Sequence, residues 1–250
     1  MPIPIKTQSE IEAMRASGKI LATALEETSK LAKPGISTYE LDQFAEEIIR
    51  KMGGKPAFKG YRGFPGTLCT AIDSVIVHGI PRKDEFLKEG DLFTIDCGVI
   101  YEKMYTDAAR TVTIGEVSEL KKRLVKVANE ALSRALDIAK PGTHLNLIGK
   151  IIQETVEKAG FEIVKDLTGH GIGKQLHEEP IVLNYWEGNP GPKLKPGMTI
   201  AIEPIFSAGS GKMRTLADNW TLVTADNSPA IQVEETILIT ENGNEILTQI

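Results

Sequence analysis

Two cysteines in 250 residues, Cys69 and Cys97, are too few for a disulfide framework, which excludes the small secreted scaffolds. No apolar run approaches the roughly 20 residues of a membrane span, so no membrane contact is expected. The start Met1-Pro2-Ile3-Pro4-Ile5-Lys6 shows no charged leader followed by a signal-length apolar core, and a cytoplasmic location is expected. A basic excess is missing too. The net charge is −5, and the basic run Lys121-Lys122-Arg123 sits on a helical pattern as a solvated face, so no nucleic-acid binding is expected. Linker-like and low-complexity tracts are absent. Histidine is scarce, four in all, yet His78, His170 and His177 fall in two short stretches punctuated by glycine and proline.

What is present is ordinary globular composition, 41% hydrophobic and 25% charged, arranged twice over. Leu87-Lys88-Glu89-Gly90 leads through an apolar run to Asp96, and Leu194-Lys195-Pro196-Gly197 leads through another to Glu203. Ala32-Lys33-Pro34-Gly35 and Gly53 have counterparts in Ala139-Lys140-Pro141-Gly142 and Gly160 at the same sequence offset as that from Asp96 to Glu203. Helical spacing predicts helices over 9–31, 37–52, 118–138 and 145–159, the second opened by a Ser37-x-x-Glu40 capping box. Strand-like runs follow at 74–77, 92–100, 104–113, 199–206, 219–224 and 231–239. Helix pairs followed by strands predict an α+β protein, a single domain over 1–250 with internal halves of about 9–115 and 116–250.

Three acids are lodged in apolar runs: Asp96 after Ile95, Glu203 after Ile202, and Glu234 after Val233. None of these runs contains Lys or Arg, and a buried carboxylate must be paired, protonated or metal-bound. The hairpin formed by 92–100 and 104–113 has its midpoint between Tyr101 and Glu102. That register makes Asp96 and Asp107 direct cross-strand neighbours with Cβ atoms about 4.5–5.5 Å apart. Repulsion at that distance favours either one raised pKa or a divalent cation between them. With Glu203 and Glu234 the set offers hard oxygen donors, and one imidazole would tilt it toward Mn, Fe, Co or Zn. Gly169-His170-Gly171 places an imidazole between glycines, where backbone can approach a bound group. His177 lies within reach of the same cavity, whereas His144 reads as a structural histidine.

Val77-His78-Gly79-Ile80-Pro81, Thr94-Ile95-Asp96, Thr106-Asp107, Gly169-His170-Gly171-Ile172-Gly173, His177-Glu178-Glu179-Pro180, Ile202-Glu203-Pro204 and Glu234-x-Thr236 together resemble the type I methionine aminopeptidases. The resemblance runs the length of the chain. It implies a pseudo-twofold pita-bread fold, two similar α/β halves sharing a central antiparallel sheet with helices outside. It further implies that Asp96, Asp107, His170, Glu203 and Glu234 ligate two divalent ions (Co, Mn, Fe or Zn), with Asp107 and Glu234 bridging. Catalytic roles would fall to His78, His177 and Glu203, and a methionine pocket to Tyr61, Phe64, Cys69 and Trp220. The implied substrate is the N-terminal methionine of nascent polypeptides with a small second residue, met by a monomer in transient association with the ribosome. Leu167, Asn227 and Glu235 depart from the family's usual aromatic, Arg and His, bearing on affinity and pocket shape.

Three rivals compete with this reading. A proline-specific aminopeptidase shares the fold but carries an additional N-terminal domain. A metal-free binding module would be expected to have lost ligand positions. A two-carboxylate hydrolase without metal would require the close acids to share a proton.

Overall fold

In a computed structural model that describes residues 2–250, the chain opens with α1 (Gln8–Leu31) and α2 (Thr38–Lys51). Strands β1 (Lys55–Pro56), β2 (Leu68–Ile72), β3 (Val75–Val77), β4 (Leu92–Tyr101) and β5 (Met104–Thr113) complete the first half. The second begins with α3 (Glu119–Ile138), α4 (Asn146–Lys158), β6 (Glu162–Ile163), β7 (Gly169–Gly171), β8 (Glu178–Val182) and β9 (Thr199–Ile202). It ends with β10 (Ile205–Ser207), β11 (Met213–Thr215), β12 (Leu222–Thr224), β13 (Ala230–Gln232), β14 (Glu235–Ile239) and β15 (Asn244–Ile246). The predicted capping box forms: Ser37 Oγ accepts from Glu40 N while Glu40 returns a carboxylate to Ser37 N, satisfying two of the helix's orphan donors. A second box, Thr7 with Glu10, starts α1.

The sequence repeat is a backbone repeat. Gly35 and Gly142 take φ of 91° and 89°, Gly53 and Gly160 86° and 81°, Gly90 and Gly197 92° and 83°. Gly35 N donates to Leu87 O at 2.8 Å, and its counterpart Gly142 N to Leu194 O at 2.9 Å. β1 pairs Pro56 with Val99, and β6 pairs Ile163 with Phe206, both members of the second pair displaced from the first by the offset of the sequence repeat. The architecture is therefore the pseudo-twofold pita bread. Leu25, Leu41 and Ile49 pack with Phe93 and Ile95 in one core, and Leu124, Ile148 and Ile152 with Phe206, Ile231 and Ile237 in the other.

The β4–β5 hairpin corrects the expected register. Tyr101 pairs with Met104, so Asp96 faces Ala109 and Asp107 faces Gly98. The two-residue loop is Glu102-Lys103, with φ of 46° and 68°; this left-handed pair matches the twist of the strands but lacks the Asn-Gly signature that would have located it. The two acids are thus diagonal neighbours. Because the slip is two residues and side chains alternate with period two, both remain on the same face.

Two expected strands are each broken at an acid. The run 199–206 splits into β9 and β10 around Glu203-Pro204, since proline donates nothing to a ladder. The run 231–239 splits into β13 and β14 around Val233-Glu234, because the main chain of Glu234 turns to the other half. Glu234 N donates to Ala109 O at 3.1 Å and Ala109 N to Glu234 O at 3.3 Å, the only main-chain bridge between β5 and this segment among the described residues. Threonines supply the neighbouring rungs. Thr236 Oγ1 accepts from Asp107 N at 3.0 Å and donates to Asp107 O at 2.7 Å, and Thr111 Oγ1 donates to Gln232 O at 2.6 Å. Within 219–224 only Leu222–Thr224 is strand, residues 220–221 being held by the Asp218 carboxylate.

Candidate metal centre

The seam brings all five candidate ligands to one cavity of about 500 Å³. Asp96 comes from β4, Asp107 from β5, His170 from β7, and Glu203 and Glu234 from the two strand breaks; all are buried. His170 Nε2 lies 3.9 Å from Asp107 Oδ2 and 3.8 Å from Glu203 Oε1. Donor atoms of Asp107, His170 and Glu234 all fall within 4.8 Å of one another. The His170 Nδ1 sits 2.9 Å from Gly171 O. A carbonyl can only accept, so Nδ1 carries the proton and the Nε2 lone pair points at the carboxylates.

Glycines flank His170 for a reason other than the expected one. A Cβ at Gly169 would lie 2.3 Å from Ala201 O and one at Gly171 2.1 Å from Glu179 O, so they admit neighbouring strands rather than a ligand.

No Lys or Arg lies within ion-pair distance of Asp96, Asp107, Glu203 or Glu234 among the described residues. Asp96 Oδ1, Asp107 Oδ1 and Glu234 Oε1 are buried without any partner. Glu203 receives one hydrogen bond, from Gln232 Nε2 at 3.2 Å. Burial pushes Asp96 up to about 7. Asp107, Glu203 and Glu234 are held well above the usual carboxylate range, by burial first and then by one another's charge. Burial, then the neighbouring His177, drives His170 down to about 3, so its imidazole is neutral at physiological pH. Orphaned carboxylate oxygens facing a neutral imidazole nitrogen are a donor set that fits a divalent cation.

Glu235 shows the alternative fate of a buried acid in this chain. Its carboxylate is bound by Arg110 at 2.9 Å, by the Thr248 hydroxyl, and by Gln249 Nε2 at 3.1 Å.

The other candidates line the same cavity. Tyr61, Phe64, Cys69 and Trp220 form an apolar wall, with Phe64 and Trp220 edge to face at 5.2 Å. β3 pairs with β12 across the halves, Val77 with Leu222, which carries Trp220 toward Phe64. His78 follows β3 in a left-handed conformation, φ 59°. The adjacent Gly79 carbonyl is pinned by Thr70 N at 2.9 Å, where a Cβ would stand 1.9 Å from Thr70 O. The His177 ring lies 4.4 Å from His170, and its Nδ1 is 3.2 Å from the Tyr61 hydroxyl. Burial lowers the pKa of both His78 and His177. His144 lies apart, with Nδ1 2.8 Å from Gly191 O.

Gln232, Thr168 and Phe58 also line the cavity and were missed from the sequence. Only Gln232 carried a signal, as an amide two residues from Glu234 in an apolar run. Leu167, one of the three departures, lines the cavity as well, and Asn227 instead accepts from Arg214 at 3.0 Å on the surface.

Residues 12–241 match metallopeptidase family M24. A methionine aminopeptidase of Clostridium acetobutylicum is 46% identical over 246 residues, covering 98% of each chain. The crystal structure of a methionine aminopeptidase from Thermotoga maritima superimposes with a TM-score of 0.98 at 44% identity over 100% of both chains. Prolidase from Pyrococcus furiosus follows at a TM-score of 0.81 and 28% identity, with 65% of its chain covered. The seam of acids, the repeat and these likenesses agree: the chain belongs to metallopeptidase family M24 and, within it, to the methionine aminopeptidases.

Proposed function

We propose that this chain removes the N-terminal methionine from polypeptides with a small second residue. The observation that carries the reading is the set of partnerless buried carboxylate oxygens beside an apolar, aromatic-walled cavity. Asp96, Asp107, His170, Glu203 and Glu234 would hold two divalent ions, drawn from Co, Mn, Fe or Zn, with Asp107 and Glu234 shared between them. When bound, such a pair supplies acidification of a water and polarisation of a carbonyl.

The chain's own residues do the rest. Tyr61, Phe64, Cys69 and Trp220 receive the methionine side chain, whose unbranched thioether makes favourable contacts with aromatic rings. Glu203, fixed on one oxygen by Gln232, would accept the water's proton on the other and pass it to the leaving nitrogen as the C–N bond breaks. With its Nδ1 accepting from the Tyr61 hydroxyl, neutral His177 keeps the proton on Nε2 and donates it as a hydrogen bond to the oxyanion. His78 hydrogen-bonds the scissile amide or its leaving nitrogen. On this reading substrates are met in the cytoplasm as nascent chains leave the ribosome.

Release of methionine from Met-Ala-Ser, abolished by chelator and restored by Mn or Co, tests the assignment, with elemental analysis counting the ions. Turnover of Ala-Pro peptides in preference to Met-Ala-Ser would favour the prolidase-like alternative instead.

A further inference from the structure

A second cavity, of about 560 Å³, adjoins the first and shares Thr168, His170 and His177 with it. Its other walls are the arm ahead of α1 and strand β8. β8 ends its five-stranded sheet and is bonded to β7 on one side only, so its outer edge has no strand partner, and Pro180 in its middle leaves carbonyl acceptors and fewer N–H donors there. The charges of the groove answer each other. Lys6 Nζ lies 2.6 Å from Glu178, both side chains nearly buried, and Lys174 Nζ lies 2.7 Å from Glu10.

Two of its exposed side chains are large and apolar. Ile5 is 52% and Ile181 59% exposed. They are two of the six large hydrophobics exposed among the described residues, and both stand on this one groove. Single exposed hydrophobics are normal; a pair facing one cleft is a contact surface.

We propose that this groove binds the part of the substrate beyond the scissile bond, from the fourth residue onward. The peptide lies extended along the edge of β8, with apolar side chains against Ile5 and Ile181. The inference rests on the reading of the first cavity as the methionine site. The occupant follows from continuity, since a polypeptide passing His177 out of the first cavity enters the second. Strand addition and apolar contact recognise main chain and bulk rather than a particular sequence, which suits an enzyme that meets many different polypeptides.

The test compares Met-Ala-Ser with Met-Ala-Ser-Val-Thr-Val-Thr-Val and with Met-Ala-Ser followed by five glycines, on metal-loaded enzyme. The valine peptide should exceed the tripeptide about tenfold in kcat/KM, mostly through KM, and the glycine peptide should gain less than about threefold. Ile5→Asn and Ile181→Asn should each cut the gain to about threefold or less and leave the tripeptide unchanged. Equal rates for all three wild-type substrates would overturn the proposal. So would variants that slow tripeptide and octapeptide alike, or sedimentation showing that the two isoleucines seal a dimer.

A labelled Ala-Ser-Val-Thr-Val-Thr-Val peptide reads the groove without turnover. It should bind wild type and weaken about threefold or more in either variant; failure to bind sinks the groove even where methionine is released. Binding without any release from Met-Ala-Ser would keep the groove and sink the methionine site.

Discussion

Replacing Arg110 by methionine removes one cation and four interactions while keeping most of the side-chain volume. The guanidinium donates to the carbonyls of Ala109 at 3.1 Å, Glu234 at 2.8 Å and Thr248 at 2.7 Å, besides its ion pair with Glu235. The side chain of Glu235 is 5% exposed and that of Arg110 29%, so the acid is stranded while part of the arginine already faces water. Breaking a buried pair from one side costs about 3–5 kcal/mol. The partial exposure of Arg110 places this case near the lower end, about 3 kcal/mol. For a chain of this length that lowers Tm by roughly 6–12 °C. Thermal and urea unfolding of metal-free protein reads it without the added stability of a bound ion. Arg110→Met/Glu235→Gln should recover about half the loss, because the buried charge goes with its partner. A loss for Arg110→Met no larger than that of an ordinary surface substitution, about 0.5 kcal/mol, would refute the account of the pair. So would a double variant as unstable as the two single losses added together.

Three further outcomes are expected. His170→Ala should weaken Mn or Co binding, read by calorimetry, by on the order of 100-fold or more, given that groups merely supporting a ligand are worth 10–100-fold. Metal-free protein should lose stability as the pH rises through about 7. Carboxyls whose folded pKa is raised stabilise only while protonated; Asp96 loses its proton near 7, and Asp107, Glu203 and Glu234 are raised in the same direction. The lowered histidines act oppositely, but only below their unfolded value near 6.5, so above it the acids set the falling slope, up to about 1.4 kcal/mol per pH unit for each carboxyl still protonated in the folded state. Saturating Mn should abolish that slope, and a Tm series that rises over this window in metal-free protein contradicts the reading. Tyr61→Phe should lower kcat about tenfold with metal affinity unchanged, since His177 loses the hydrogen bond that fixes its tautomer; an unchanged kcat would remove Tyr61 from that role.

Much of the fold was legible because its signals are local. The helices were marked by 3.6-residue spacing and the Ser37 box, and the repeat by glycines whose positive φ no other residue adopts cheaply. The acids stood out because nothing cationic flanked them. What escaped depends on partners distant in sequence. β1 and β6 are two residues each, β7, β11 and β15 three, too short for alternation to show. The interruption at Glu234 is dictated by Ala109 in the other half, and the hairpin slip by a Glu-Lys turn without a glycine. Thr168 and Phe58 reach the cavity only through tertiary packing, whereas Asp96, Glu203 and Glu234 converge as the apolar runs suggested, joined by Asp107 from the hairpin and His170 from its glycine-flanked stretch.

The bridge between Ala109 and Glu234 also imposes an order on biosynthesis. Asp96 and Asp107 emerge early, but their companions belong to the far half, and Glu234 is translated only after nearly all of the sequence has preceded it. A fragment that ends before His170 would carry only Asp96 and Asp107 of the five candidate ligands, with no imidazole beside them. On the proposed assignment, capture of the ions would act as a check on completion, and truncated copies would be left unarmed.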